Sequence, residues 1–285
     1  MSTSEAHYLH RREGLTLALR PGVRAPVAID WTAQGALVVA TARGDGLSVH
    51  PSLGTRILWE KGPPVFAIGR VAVDLVVVDA VGWRRIDSVG ALVAQGDHKF
   101  TGRVDLHVDG EHFMLVGDTA TDRRVEVFEE NKRVFRVLMP HDATAWPRIG
   151  GLGLARSVRS GVEVIDPSAG ERFSSRRSGG RRLVSTRKML VGLGESDVAC
   201  FLEHGQPTCT LPVAGATCAT RVDADHLLIG TSDGGLALAD LRPDASPIVA
   251  VHAHDDAVHS VAASTQGEWA ASAGAVVFMW SVDRS

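Results

Sequence analysis

Three histidines and two aspartates lie close together near the C-terminus, and side chains of these types could do metal chemistry. They are His252, His254, Asp255, Asp256 and His259. Imidazole and carboxylate groups at such short spacing can surround a zinc ion. A catalytic zinc site of this kind also needs ligands from distant parts of the chain, and the sequence ends soon afterwards, at residue 285.

The same string resembles the His-x-His-x-Asp-His motif of metallo-β-lactamase-like hydrolases, with Ala257 in the place of the final histidine. That resemblance implies a bound zinc ion and a fold in which strands alternate with helices. The present chain shows little helical periodicity, so the strand pattern favours structural roles for these residues. We therefore expect no metal, no cofactor and no catalytic residue.

Other catalytic motifs find little support in the sequence. A Gly-x-Ser-x-Gly nucleophile elbow does not occur. The glycine-rich segments 150–153 and 192–194 are not followed by the Lys-Ser/Thr of a phosphate-binding loop, and we interpret them as turns. Three cysteines, Cys200, Cys209 and Cys218, are too few and too regularly spaced for a disulfide framework, so we expect reduced core residues.

One segment is strongly basic although the whole chain has a net charge of −3. Between residues 172 and 188 it carries seven cations and no acid. These candidate partner-binding residues are Arg172, Arg176, Arg177, Arg181, Arg182, Arg187 and Lys188. Guanidinium groups bind carboxylates and phosphates through forked hydrogen bonds.

Three interpretations of the basic segment remain open. It is a solvated loop, a contact for a partner protein with an acidic surface, or a contact for nucleic acid. Phe173 is the one aromatic residue inside it, whereas single-strand binding usually adds several stacking platforms. An acidic protein partner is therefore favoured over nucleic acid.

Tryptophans supply the remaining candidates for partner contacts. Trp31 and Trp146 lie in or near the first strand of a predicted repeat, where the faces of the fold are reached. Tryptophan is enriched in binding hot spots, but core packing is the favoured role for both residues.

An internal repeat must position all of these residues. A tight polar turn followed by a short alternating strand recurs at intervals of 36 to 42 residues. The equivalent positions are Leu47, Trp83, Val125, Val162, Val198, Leu236 and Val276. Each copy follows another apolar strand, such as 36–41 or 226–231, so we expect the second and third strands of successive four-stranded blades.

The last copies resemble the WD-repeat family. Residues 254–264, 267–272 and 276–280 are similar to its histidine-containing loop and first three strands. The resemblance implies structural roles for His254, Ser272 and Trp280 and, one copy earlier, for Thr231 and Asp233. The chain departs from the family pattern, because Gly274 and its neighbours replace the turn aspartate and Ser281 follows Trp280.

The repeat count predicts an all-β, seven-bladed β-propeller. The final copy lacks a fourth strand, and residues Leu15–Leu19 are a spare strand that could complete it, as ring closure does in the family. We therefore expect residues 1–14 to be an N-terminal tail and residues 15–285 to be one domain. No apolar run is long enough to span a membrane, and the first residues lack a secretory signal, so we expect a cytoplasmic protein.

The resemblance implies a non-catalytic interaction scaffold, and the composition is typical of a GC-rich bacterium. We expect a subunit of a bacterial multi-protein complex that binds another protein with an acidic surface. Two alternatives stay open: a hydrolase or lyase with its site in the central channel, and a nucleic-acid-binding subunit that uses the basic segment.

Overall fold

A computed structural model of the chain describes residues 8–11, 26–50, 53–102, 104–139, 143–148, 151–158, 161–165, 172–175, 182–186, 189–201, 207–242, 249–264, 266–267, 269–274 and 276–283. The regular elements in these ranges are β-strands. Within them, 28 strands form seven four-stranded sheets. The expected all-β propeller class is confirmed.

The chain divides into two compact units, of which the first comprises residues Met1–Val65 and Gly215–Ser285. It holds three sheets. In sheet order their strands are β2 (Pro26–Trp31), β3 (Leu37–Thr41), β4 (Gly46–His50) and β5 (Gly54–Trp59); β22 (Ala216–Arg221), β23 (His226–Thr231), β24 (Gly235–Asp240) and β25 (Val249–His252); and β1 (Tyr8–Arg11), β28 (Val277–Asp283), β27 (Trp269–Ala273) and β26 (Ser260–Ala263).

The second unit, Phe66–Ala214, holds the other four sheets. Their strands are β6 (Val65–Val71), β7 (Asp74–Asp79), β8 (Gly82–Ile86) and β9 (Leu92–Asp97); β10 (Val104–Asp109), β11 (His112–Asp118), β12 (Arg123–Glu129) and β13 (Lys132–Met139); β14 (Ala143–Arg148), β15 (Gly151–Val158), β16 (Gly161–Ile165) and β17 (Arg172–Ser175); and β18 (Arg182–Thr186), β19 (Met189–Leu193), β20 (Val198–Phe201) and β21 (Pro207–Leu211).

The predicted third strands agree with the structure. The seven equivalent positions fall in or directly before β4, β8, β12, β16, β20, β24 and β28, each of which occupies the third place of its sheet in repeat order. The alternation that follows a Gly- or Asp-rich turn is a local property, because the turn fixes where the hairpin reverses. Sequence alone therefore located these strands.

Four of the second strands are buried along their whole length. Strands β3, β7, β19 and β23 expose none of their residues, and their sequences are nearly continuous apolar runs. A strand of this kind is covered on both faces, since its successive side chains point to opposite sides of the sheet. The outer strands differ, because β5, β9 and β13 are exposed over most of their length.

In the first unit, neighbouring sheets bury one another through two cores. One core joins side chains of β2–β4, among them Trp31, to Ala262, Ala273, Val277 and Met279 of the last sheet. The other joins Leu228, Leu236 and Leu238 to Phe278 and Trp280. Each sheet alone is too small to cover its apolar faces, so the stability of this unit depends on contacts between sheets.

In the second unit, an aromatic cluster forms between the sheets that contain β8 and β11–β12. Trp83 packs edge-on against Phe113 and Phe128, with ring centroids 5.0 and 5.3 Å away, while the two phenyl rings stack at 4.6 Å. Such pairs add about 0.5–1.5 kcal/mol each beyond the area they bury. A further core joins Val162 and Val164 to Leu190 and Phe201.

The N-terminal closing strand differs from the predicted one. Strand β1, Tyr8–Arg11, pairs antiparallel with β28, with Tyr8 opposite Asp283 and Arg11 opposite Trp280. The prediction that Leu15–Leu19 supplies this strand is wrong in its residues, and those five residues lie outside the described ranges. The strand instead comes from the segment expected to be a tail. Pairing of the two chain ends is non-local, so the alternation of 15–19 carried no information about register.

The cysteines behave as expected. Cys200 is buried, Cys209 and Cys218 are partly buried, and all three carry thiols. As far as the described residues go, no helix combines the length and the apolar character that a membrane crossing requires.

Candidate functional site

A backbone lock holds the turn between the second and third strands of the first sheet. Gly44 lies at φ +84°, and its carbonyl oxygen accepts a hydrogen bond from the N–H of Gly62 over 3.1 Å. The Asp45 carboxylate accepts another from the N–H of Lys61 over 2.9 Å. The turn is thereby joined to the segment that follows the fourth strand, which fixes two loops at once.

The sheet of β22–β25 carries the same lock. Gly234 lies at φ +86°, and its carbonyl oxygen accepts hydrogen bonds from the N–H groups of Ala253 and His254 over 2.9 and 3.0 Å. A Cβ atom at this position would lie 1.9 Å from the carbonyl oxygen of His254. Glycine is therefore required here both by the left-handed backbone and by the close approach of another chain segment.

Thr231 and Asp233 are part of this turn. The Thr231 hydroxyl donates to the Asp233 carboxylate over 2.5 Å, and the N–H of Gly235 donates to the same carboxylate over 3.3 Å. These hydrogen bonds hold the pKa of Asp233 below its usual value. The carboxylate stays ionised and stabilises the turn as an acceptor.

The histidines of the C-terminal string point to separate neighbours. The His254 ring is buried and lies 4.7 Å from Phe278, which in turn lies 6.4 Å from Trp280. The Nε2 atom of His259 lies 2.5 Å from the carbonyl oxygen of Pro26 on β2. Where the structure describes the chain, no three His, Cys, Asp or Glu side chains group together as metal ligands would. The predicted structural residue Ser272 lies in β27, and its side chain is outside the described part.

The two tryptophan candidates have different outcomes. Trp31 has 0% of its surface exposed and lies in the core between the first and last sheets of its unit. The interpretation of Trp31 as a contact anchor is therefore corrected: sheet-to-sheet packing encloses it. Trp146 lies in β14, and its side chain is outside the described part of the structure.

The basic segment is described only in part. Arg172 begins β17, the outer strand of its sheet, and Arg182 begins β18, the first strand of the next sheet. Arg176, Arg177, Arg181, Arg187 and Lys188 lie outside the described residues. The described parts of the segment therefore lie in the last strand of one sheet and in the first strand of the next.

Most of the exposed large apolar side chains among the described residues belong to the second unit. Among the described residues, ten large hydrophobic side chains are exposed, and eight of them belong to the sheets β6–β9 and β10–β13. The eight are Val73, Val81, Val89, Leu92, Val93, Val134, Phe135 and Leu138. Groups of exposed apolar side chains mark interaction sites more often than single ones do.

Three of the eight share strand β13 with three cations. We name the set Lys132, Arg133, Val134, Phe135, Arg136 and Leu138 the β13 edge. Leu138 is 63% exposed, and β13 is the last strand in its sheet order. Sequence analysis missed this surface, because the outer strands carry the least regular part of the repeat. The signal that could have found it is the mixture of cations and apolar residues, without an acid, over 132–139.

Glu126 lies beneath the β13 edge, opposite Arg136 in the strand pairing. Its side chain is 2% exposed, and its Oε1 atom lies 3.3 Å from Arg133 and 3.9 Å from Arg136. Further along β12, Arg124 donates to Asp122 and Thr119 at distances of 2.8 to 3.1 Å. Burial works to raise the pKa of Asp122, but hydrogen bonds from Thr121, Arg124 and Thr119 outweigh it, and the pKa is lowered.

Comparison with solved structures supports the fold. The chain is similar to one in a crystal structure of the mitotic checkpoint complex, with a TM-score of 0.74 and 14% identity, covering 100% of this chain and 96% of that one. It is also similar to the Pan2 WD40 domain of Neurospora crassa, with a TM-score of 0.66 and 12% identity over 92% and 90% of the two chains. BamB from Moraxella catarrhalis matches with a TM-score of 0.55 and 15% identity, over 98% and 97%.

These likenesses define the class of the protein as a β-propeller with WD40-type neighbours. Identity this low shows the fold and not the activity. No protein-family model matches the sequence. No curated protein matches it either.

Proposed function

We propose that this protein is a non-catalytic protein-interaction module. The observation that carries the proposal is the group of exposed apolar side chains on the sheets β6–β9 and β10–β13. Leaving such side chains in water costs free energy, and a partner surface that covers them recovers it. A chain in a structure of the mitotic checkpoint complex has a similar fold, so this architecture serves within at least one multi-protein assembly.

The described polar side chains support the same proposal. Asp233 and Asp122 bond to turns, and His254 packs against an aromatic ring. Groups used in this way hold loops in place, and rigid loops present a fixed surface for a partner.

The basic segment belongs to the proposal as a second contact. Arg172, Arg176, Arg177, Arg181, Arg182, Arg187 and Lys188 suit an acidic partner surface. Of these, Arg172 begins the outer strand β17 and Arg182 begins β18, the first strand of the next sheet. Connections between successive sheets are the variable, partner-facing parts of a repeat fold. Trp146 stays a candidate contact beside them.

The finer features of the proposal are a seven-bladed propeller and membership of a bacterial multi-protein complex in the cytoplasm. The blade count is supported by seven four-stranded sheets whose third strands recur at 36 to 42 residues. The similarity to solved structures does not by itself fix the number of blades.

Affinity purification of the tagged chain from its native host tests the proposal. We expect one protein to co-purify in stoichiometric amount, and we expect it to be lost or strongly reduced when Arg176, Arg177, Arg181 and Arg182 are all replaced by Glu. A variant with four Glu substitutions at Arg43, Arg56, Arg70 and Lys99 is the matched control for net charge. Recovery of nucleic acid instead of protein, with strong salt dependence, would contradict the proposal.

A further inference from the structure

The β13 edge is a strand edge with hydrogen-bonding capacity on its outer side. The sheet order is β10-β11-β12-β13, so β13 pairs with β12 on its inner side and ends the sheet. An edge strand presents backbone N–H and C=O groups that can pair with another extended segment. Strand addition to such an edge is a general mode of peptide recognition.

Two guanidinium groups on this edge lie close to a buried carboxylate. Arg133 and Arg136 are 50% and 45% exposed, and both contact the same buried oxygen of Glu126. A guanidinium has five N–H donors, so a contact with one oxygen leaves donors for a further acceptor. The acceptor that best matches a guanidinium is a carboxylate.

Exposed apolar side chains lie on the same strand as these cations. Val134, Phe135 and Leu138 are 53%, 41% and 63% exposed. The outer strands β5 and β9 do not combine these features. Strand β9 exposes Leu92 and Val93 but carries no cation, and β5 exposes Ile57 beside one arginine. The edge therefore favours a segment with both acidic and apolar side chains.

Pairing of two copies of the chain at this edge is disfavoured by charge. An antiparallel β13–β13 pair would bring Lys132, Arg133 and Arg136 of one copy close to the same residues of the other. Like charges opposite one another destabilise a strand pair.

We propose that the β13 edge binds an extended, acidic segment of a partner protein by strand addition. The inference rests on the proposed interaction function and names the chemistry of the partner. Carboxylates of the bound segment pair with Arg133 and Arg136, apolar side chains cover Val134 and Leu138, and backbone hydrogen bonds extend the sheet by one strand.

The probe is a labelled short peptide in which every second residue is Thr and the residues between are Glu and Val in turn, so that one face carries both carboxylates and apolar side chains. Fluorescence polarisation with the full chain is the measurement. We expect saturable binding that weakens as salt is added, because the charges are exposed and screened. The same peptide with Lys in place of every Glu should bind at least tenfold more weakly. Equal binding of the two peptides, or no saturable binding of the acidic one, overturns the proposal.

Two variants test the edge separately. V134S/L138S removes the apolar contacts without changing the charge, while E126Q/R133Q/R136Q removes both guanidinium charges together with their buried counter-charge. Each should weaken binding of the acidic peptide at least tenfold, whereas L53S, at an exposed turn elsewhere, should leave it unchanged. The melting temperature of each variant shows whether it folds, and unchanged binding by either folded variant overturns the proposal.

The outcomes also separate this inference from the proposed function. If V134S/L138S still captures the stoichiometric partner from the host, the edge proposal fails while the interaction function stands. If the acidic peptide binds but no host protein co-purifies, the edge is retained and the proposed function fails. Self-association that V134S/L138S abolishes, without peptide binding, assigns the edge to a second copy and overturns the proposal.

Discussion

The N–H of His254 donates to the carbonyl oxygen of Gly234, and the two residues approach so closely that a side chain at 234 has no room. The contact joins the turn between β23 and β24 to the segment that follows β25. Gly44 and Gly62 make the same contact in the first sheet. The lock is therefore a repeated feature of the fold, and it explains why glycine stands at both turns.

The lock at Gly234 predicts a large loss of stability for Gly234→Ala. The positive φ alone costs about 1–2 kcal/mol for a residue with a side chain. The collision with the His254 carbonyl adds about 1–3 kcal/mol, as overpacking does. Urea unfolding followed by circular dichroism measures the total.

Gly35→Ala is the matched control for that experiment. Gly35 has a similar φ of +79°, but no atom lies within 4 Å of the Cβ position. We expect this variant to lose only the backbone part, about 1–2 kcal/mol. Equal losses in the two variants would show that the close approach to His254 contributes nothing.

Trp31 is predicted to act through packing alone. Because its side chain is fully enclosed between two sheets, Trp31→Ala should lose about 3–5 kcal/mol of unfolding free energy. Trp31→Phe should lose less and should retain the host partner in affinity purification. A stable Trp31→Phe variant that no longer captures the partner would restore the contact role for this residue.

Asp240 predicts a pH dependence of stability. A hydrogen bond from Arg242 lowers the pKa of Asp240 below its usual 3.8, against an opposing effect of burial. Because the folded-state pKa is the lower one, the ionised carboxylate stabilises the fold at pH values above 3.8, and this contribution is lost as pH falls through the folded-state pKa. Asp240→Asn and Arg242→Gln should both lower the melting temperature at neutral pH. The melting temperature of each variant should also fall less steeply than that of the unmodified chain as the pH is lowered.

Melting temperatures measured from neutral pH down to about pH 2 test that prediction, since the window lies at and below the usual aspartate pKa. Asp255→Asn, which removes an exposed carboxylate from a nearby loop, is the control. The prediction fails if the Asp240→Asn profile runs parallel to that of the unmodified chain throughout the range.

The closing strand predicts a sharp boundary for N-terminal deletion. Removing residues 1–11 deletes β1 and exposes the edge of β28 that it pairs with, so we expect a lower melting temperature and aggregation or strand exchange. Removing residues 1–7 leaves β1 intact and should change neither property. Sedimentation and thermal unfolding of both variants measure the difference, and identical behaviour would contradict the role of β1.

Much of the repeat could be read from the sequence because its signals are local. A Gly- or Asp-containing turn fixes a hairpin, and the alternation after it identifies a strand, so Leu47, Val125 and Leu236 were placed in third strands correctly. The resemblance of the last copies to WD repeats then led to the propeller class. None of these inferences needed to know which sheet packs against which.

The tertiary structure decided the features that depend on residues distant in sequence. Trp31 is enclosed because the last sheet packs against the first. The closing strand begins at Tyr8 rather than at Leu15, and this is known only from its pairing with β28. The β13 edge became visible only when exposure and sheet order were known. A sequence determines local turns and strand patterns directly, but burial, closure and free edges arise from non-local packing, which no single segment encodes.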